Sequence, residues 1–99
     1  MAKLADTNGT KHHIYWPRSQ YKSLGGIAKR FCQIFFVMLR WSEHMQVHRE
    51  GQPPPMPDSE YMKQQVRLYE ELRKAGDKNA LRELRHQEWS KVSSLYYGD

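Results

Sequence analysis

Cysteine is nearly absent: Cys32 stands alone, so the chain cannot close a disulfide on itself, and a disulfide-stapled secreted scaffold is excluded. Also missing is an uncharged run long enough to cross a bilayer. The most apolar stretch, "RFCQIFFVMLRW", has nine uncharged residues between Arg30 and Arg40. As a helix they would rise about 14 Å, roughly half the hydrocarbon thickness of a membrane. The beginning "MAKLADTNGTKHH" lacks the apolar core of a secretory signal and carries Asp6, a poor fit to a cleavable transit peptide, so an uncleaved chain is expected. There is no glycine-rich phosphate loop, nucleophile elbow or evident acid–base pair, and an enzyme is not expected.

Acidic charge is scarce in the first half. Residues 1–50 hold eight Lys or Arg against Asp6, Glu43 and Glu50, whereas residues 51–99 hold eight of each sign. The whole net charge of +5 therefore lies beside the apolar stretch. At 99 residues, 38 % hydrophobic and with a mean hydropathy of −0.92, the chain sits near the border where a domain depends on partners.

The expected fold class is all-α, in four parts and not as an independent compact globule. Residues 1–22 read as an extended basic and aromatic segment, with Asn8-Gly9 as a turn signal and Pro17 blocking helix at Trp16. Gly25-Gly26 is a joint, and residues 23–50 read as one apolar anchoring helix ended by Gly51. Residues 51–57, "GQPPPMP", form a stiff spacer of polyproline II character. In 58–99, Asp58 or Ser59 caps a helix with Met62, Val66, Tyr69 and Leu72 on one stripe, and Gly76 stops it. Asp77 opens another, with Leu81, Leu84, Val92 and Leu95 aligned and Trp89 at the edge. A helical hairpin is expected, with a kinked continuous helix as the alternative.

Positions 34–39 are apolar without a break, so a helix there would be apolar on every face and would need to be surrounded. Two helices with one narrow stripe each cannot enclose it, so other proteins or lipid are expected to. Phe31, Ile34, Phe35, Phe36, Leu39 and Trp41 are the candidate anchors, and Arg18, Lys22, Lys29, Arg30 and Arg40 the candidate contacts to lipid headgroups or an acidic partner. His44 and His48 are spaced to share a metal on a helix, but no acid or cysteine aligns with them. They read as a solvated pair at the helix end, His12-His13 carries no stronger signal, and neither metal nor cofactor is expected.

"KHHIYWPRSQYK" interleaves charge for phosphates with rings for bases, so a ribosomal or mitoribosomal RNA-binding protein is the alternative. "RLYEELRK" resembles the opening of the mitochondrial LYR family: Leu68 and Tyr69 match its triplet, and Glu70 stands where the family has arginine. By layout, the whole chain looks like the small basic accessory subunits of mitochondrial inner-membrane complexes, ATP synthase or the respiratory chain. That resemblance implies a non-catalytic structural subunit among other subunits of a large hetero-oligomer, peripheral or partially embedded in the inner membrane and in contact with acidic lipid.

Overall fold

A computed structural model describes residues 9–97, which run in the order β1 (Thr10–His13), α1 (Arg18–Tyr21), α2 (Gly26–Ile34), β2 (Phe36–Leu39), α3 (Trp41–Glu50), α4 (Ser59–Ala75) and α5 (Lys78–Tyr97). Residues 1–8 of the expected N-terminal segment, Asn8 of its turn signal and the side chain of Tyr97 lie outside the described residues.

The long apolar helix expected over 23–50 does not form. Helix ends at Ile34, Phe35 turns the chain into extended backbone, and Phe36–Leu39 pairs antiparallel with Thr10–His13. Thr10 faces Leu39, and His12 faces Val37. The strand explains the unbroken apolar run by a different rule from the helix. Val37 and Leu39 point into the core while Phe36 is half-buried and Met38 is 58 % exposed, the two-residue alternation of a strand. Aromatic and β-branched side chains suit that backbone, and a continuous apolar run carries no period to distinguish it from a helix. Helix resumes at Trp41, where the Arg40 backbone N–H donates to Glu43 Oε1 at 3.2 Å. The fold is thus mostly helical with a small sheet, and the strict all-α expectation is corrected: five helices and one two-stranded sheet occur among the described residues.

The expectation of a chain that is not a compact globule is corrected as well, because the fold covers most of its own apolar stretch. Its radius of gyration is 13.9 Å, near the roughly 13 Å of a compact domain of this length. Phe31 and Phe35 are fully buried, with ring centroids 4.9 Å apart. Ile14 and Tyr15 from the N-terminal segment, Met62 and Val66 from α4, and Leu84 and Tyr96 from α5 join them in the core. Two helices alone could not have enclosed a fully apolar helix, but half of the run is strand and the N-terminal segment supplies a third wall. Among the described residues, no helix is long and apolar enough to cross a membrane.

Helices α4 and α5 form the expected hairpin, and local chemistry sets its ends. Asp58 Oδ1 accepts the Tyr61 N–H at 2.9 Å, Gly76 takes the left-handed conformation (φ 72°), and Asp77 Oδ1 accepts the Ala80 N–H at 3.0 Å. The 51–57 segment takes neither helix nor strand and is no free spacer: Pro54 is buried, and Met56 packs on Cys32 with the two sulfurs 3.8 Å apart. Leu95, expected on the buried stripe of α5, is 50 % exposed; Glu88 and Tyr96 take inward positions instead. Glu88 accepts hydrogen bonds from the Tyr15 hydroxyl and, at 2.6 Å, from the Tyr61 hydroxyl. Arg85 donates from Nε to the Ile34 carbonyl oxygen at 2.9 Å and lies 4.0 Å over the Phe36 ring, fixing the break between α2 and β2 to the C-terminal helix. Glu70, at the position where the LYR triplet has arginine, holds Arg30 across the α2–α4 contact at 2.5 Å.

Candidate functional site

Strand pairing decides where the histidines go. Because side chains alternate along β1, Thr10 and His12 lie on the core side with Val37 and Leu39, while Lys11 and His13 lie on the other with Phe36 and Met38. Helix α3 leaves β2 through a single connecting residue, Arg40, and presents His44 and His48, one turn apart, to β1. The outcome is a cluster in which one ring nitrogen from each of His12, His44 and His48 lies within 4.8 Å of the others. Trp89 and Tyr96 of α5 pack edge-on against His12, at 5.4 and 5.0 Å between centroids.

Hydrogen bonds around the cluster orient its members. The Thr10 hydroxyl donates its single proton to the Leu39 carbonyl oxygen at 3.2 Å, so at 2.6 Å from His44 Nδ1 it accepts an Nδ1–H. That assignment leaves His44 Nε2 with a lone pair, and it faces His48 Nε2 at 2.9 Å. His12 Nε2 is buried without any hydrogen-bond partner among the described residues. Such an orphan costs about 1–3 kcal/mol. Burial, assisted by the positive potential of His44, His48 and His13, pulls the His12 imidazole down to about 4. Burial and then His48 lower His44 as well. His12 is therefore neutral at physiological pH, the form in which an imidazole nitrogen can donate to a metal.

The cluster opens on a cleft of about 580 Å³ whose rim carries Lys11 and Arg18. Both residues also line a second cleft of about 560 Å³, where they meet His13, Tyr21, Lys22, Lys29 and Gln33. Among the described residues, no acidic side chain lines this basic cleft. His13 Nε2 lies 3.3 Å from the Tyr21 hydroxyl, and its ring packs on Tyr21 at 5.1 Å, so two rings stand among four cations.

Of the five cations singled out from sequence, Arg18, Lys22 and Lys29 meet in the basic cleft. Arg30 is paired with Glu70, and Arg40 is exposed at the start of α3. Among the candidate anchors, Phe31, Ile34, Phe35 and Leu39 are buried in the chain's own core, Phe36 is half-buried beneath Arg85 and Lys11, and Trp41 is exposed. The four-residue spacing of His44 and His48 was visible in the sequence. His12 as their third member was not, because only the pairing of β1 with β2 brings it there. No family model, curated protein or solved structure matches the chain.

Proposed function

We propose that the protein is a non-catalytic structural subunit that docks at the periphery of a larger membrane-associated assembly through the basic cleft between β1, α1 and α2. The layout of the sequence makes a mitochondrial inner-membrane complex, ATP synthase or a respiratory complex, the setting of this reading. The observation that carries it is the convergence of Lys11, Arg18, Lys22 and Lys29 on one concave surface that no acidic side chain lines among the described residues. Each such cation near an anionic bilayer contributes about 1 kcal/mol. Four of the six candidate anchors, Phe31, Ile34, Phe35 and Leu39, lie in the chain's own core, so in this reading charge does most of the holding. RNA is the second reading, because the His13 and Tyr21 rings among these cations offer stacking surfaces to unpaired bases.

Fractionation of native membranes tests both. High salt should release the protein from its assembly, because exposed charge pairs are screened, and replacing Lys22 and Lys29 by Glu should release it at low salt while leaving the unfolding midpoint in place. Retention until detergent is added, or indifference to charge reversal, would overturn peripheral docking. Release into a nuclease-sensitive particle would replace the first reading by the second.

A further inference from the structure

We propose that His12, His44 and His48 form a binding site for a single divalent transition metal of the zinc class, with a fourth position open to the cleft rimmed by Lys11 and Arg18. Three independent features of the fold support it. The first is donor type and placement: three imidazoles from a strand and a helix converge within 4.8 Å, where tetrahedral zinc–nitrogen bonds need about 3.3 Å between donors. Closing that difference takes side-chain shifts of about 1.5 Å or less. The second is the buried His12 Nε2, a polar atom on the wall of the cluster without a hydrogen-bond partner among the described residues. A cation among the three rings would supply the missing interaction. The third is Thr10, which fixes the His44 ring through Nδ1 and leaves Nε2 aimed at His48. A second group that holds the non-coordinating nitrogen of a metal-bound histidine is the usual means of selecting its tautomer.

Donor chemistry also selects the metal. All-imidazole sites suit zinc, copper, nickel or cobalt, and disfavour magnesium and calcium, which require oxygen donors. Three protein ligands leave one place in a tetrahedral shell, and here it faces the cleft, so water or a small anion drawn in by Lys11 and Arg18 completes the coordination.

The test is calorimetric titration of the full chain, stripped with chelator, with zinc chloride, beside magnesium chloride as a control. One equivalent of zinc should bind and raise the unfolding temperature, and magnesium should do neither. Replacing His48, which is exposed, with Ala should abolish this binding without lowering the midpoint of the metal-free chain. Thr10→Val, which removes the orienting contact and no ligand, should weaken zinc binding about 10- to 100-fold. The decisive variant is His12→Gln: zinc affinity equal to the parent's would mean that only the α3 pair chelates at the surface, and it would overturn the site. Should that variant not fold, cobalt(II) added to the parent chain decides instead. Intense four-coordinate visible absorption supports the site, and the pale spectrum of a six-coordinate ion overturns it. Absence of zinc binding by the parent chain also overturns the proposal.

Discussion

Replacing Phe35 with Ala asks whether the apolar stretch belongs to the chain's own core or to a partner. Phe35 is fully buried at the turn from α2 into β2, its ring is 4.9 Å from Phe31, and its carbonyl oxygen accepts the Ile14 N–H at 3.1 Å. The truncation leaves that backbone bond intact and removes only the ring, so the loss is transfer free energy plus the cavity left behind. Such changes cost about 3–5 kcal/mol, against a total of about 5–15 kcal/mol for a domain. At roughly 4–8 °C per kcal/mol, the melting temperature of the isolated chain should fall by about 12 °C or more. With a urea slope of about 2 kcal/mol/M, the midpoint should drop by about 1.5–2.5 M with the slope unchanged. Met38→Ala, two residues into β2 and 58 % exposed, is the control and should stay within about 0.5 kcal/mol. If Phe35→Ala leaves the isolated chain as stable as the parent and weakens only its incorporation into an assembly, the ring is buried by a partner and the core described above is wrong.

Replacing either of two glycines with Ala should destabilise the chain, for different reasons. Gly76→Ala meets no atom within 4 Å but must hold φ at 72°, so its cost is the left-handed backbone alone, about 1–2 kcal/mol by urea denaturation. Gly51→Ala has an ordinary φ of −86°, yet its Cβ would lie 2.7 Å from the Val47 carbonyl oxygen and 2.6 Å from the Tyr96 ring. Overpacking of about 1–3 kcal/mol is expected there, and Tyr96→Ala should relieve part of it in a double-mutant cycle. Tyr15→Phe deprives the buried Glu88 of one of its two phenol donors and should cost about 1.5–3 kcal/mol; a neutral result would mean that water reaches the carboxylate. Burial pushes the Cys32 thiol up to about 11, so at pH 8 about one molecule in a thousand carries the thiolate. Timed alkylation read by mass spectrometry should find it unreactive until the chain unfolds, and rapid labelling of the native chain would contradict its burial.

Sequence reasoning succeeded where structure follows from neighbouring residues. Asp58, Gly76 and Asp77 mark the ends of α4 and α5 because capping and left-handed backbone are local chemistry, readable over four residues. It failed at residues 35–40, where the outcome depends on Thr10–His13, a segment too short and too polar to announce a strand. The same long-range pairing hid the histidine cluster. His44 and His48 were visible as a pair, but His12 reads as one of two adjacent histidines until the pleat of β1 sends it inward and His13 outward. Glu88 was missed for a related reason: a carboxylate on an amphipathic helix reads as solvent-facing, and its partners Tyr15 and Tyr61 come from other elements. Pro54 reads as part of an extended spacer, and nothing local says that its side chain lies buried against the body.

The Tyr96 hydroxyl on the Ile14 carbonyl oxygen and the Tyr15 hydroxyl on Glu88 join residues 82 and 73 positions apart. Contacts of that separation delay folding, because loop closure must come before they stabilise anything. They also set its timing in the cell. At ordinary elongation rates of about 5–20 residues per second, the 82 positions from Ile14 to Tyr96 take about 4–16 s to synthesise. Ile14, Tyr15 and the basic first half are made well before Glu88 and Tyr96, the partners that close these contacts. Until Glu88 and Tyr96 have been made these two contacts cannot form, and the growing chain presents a cationic and apolar segment to chaperones.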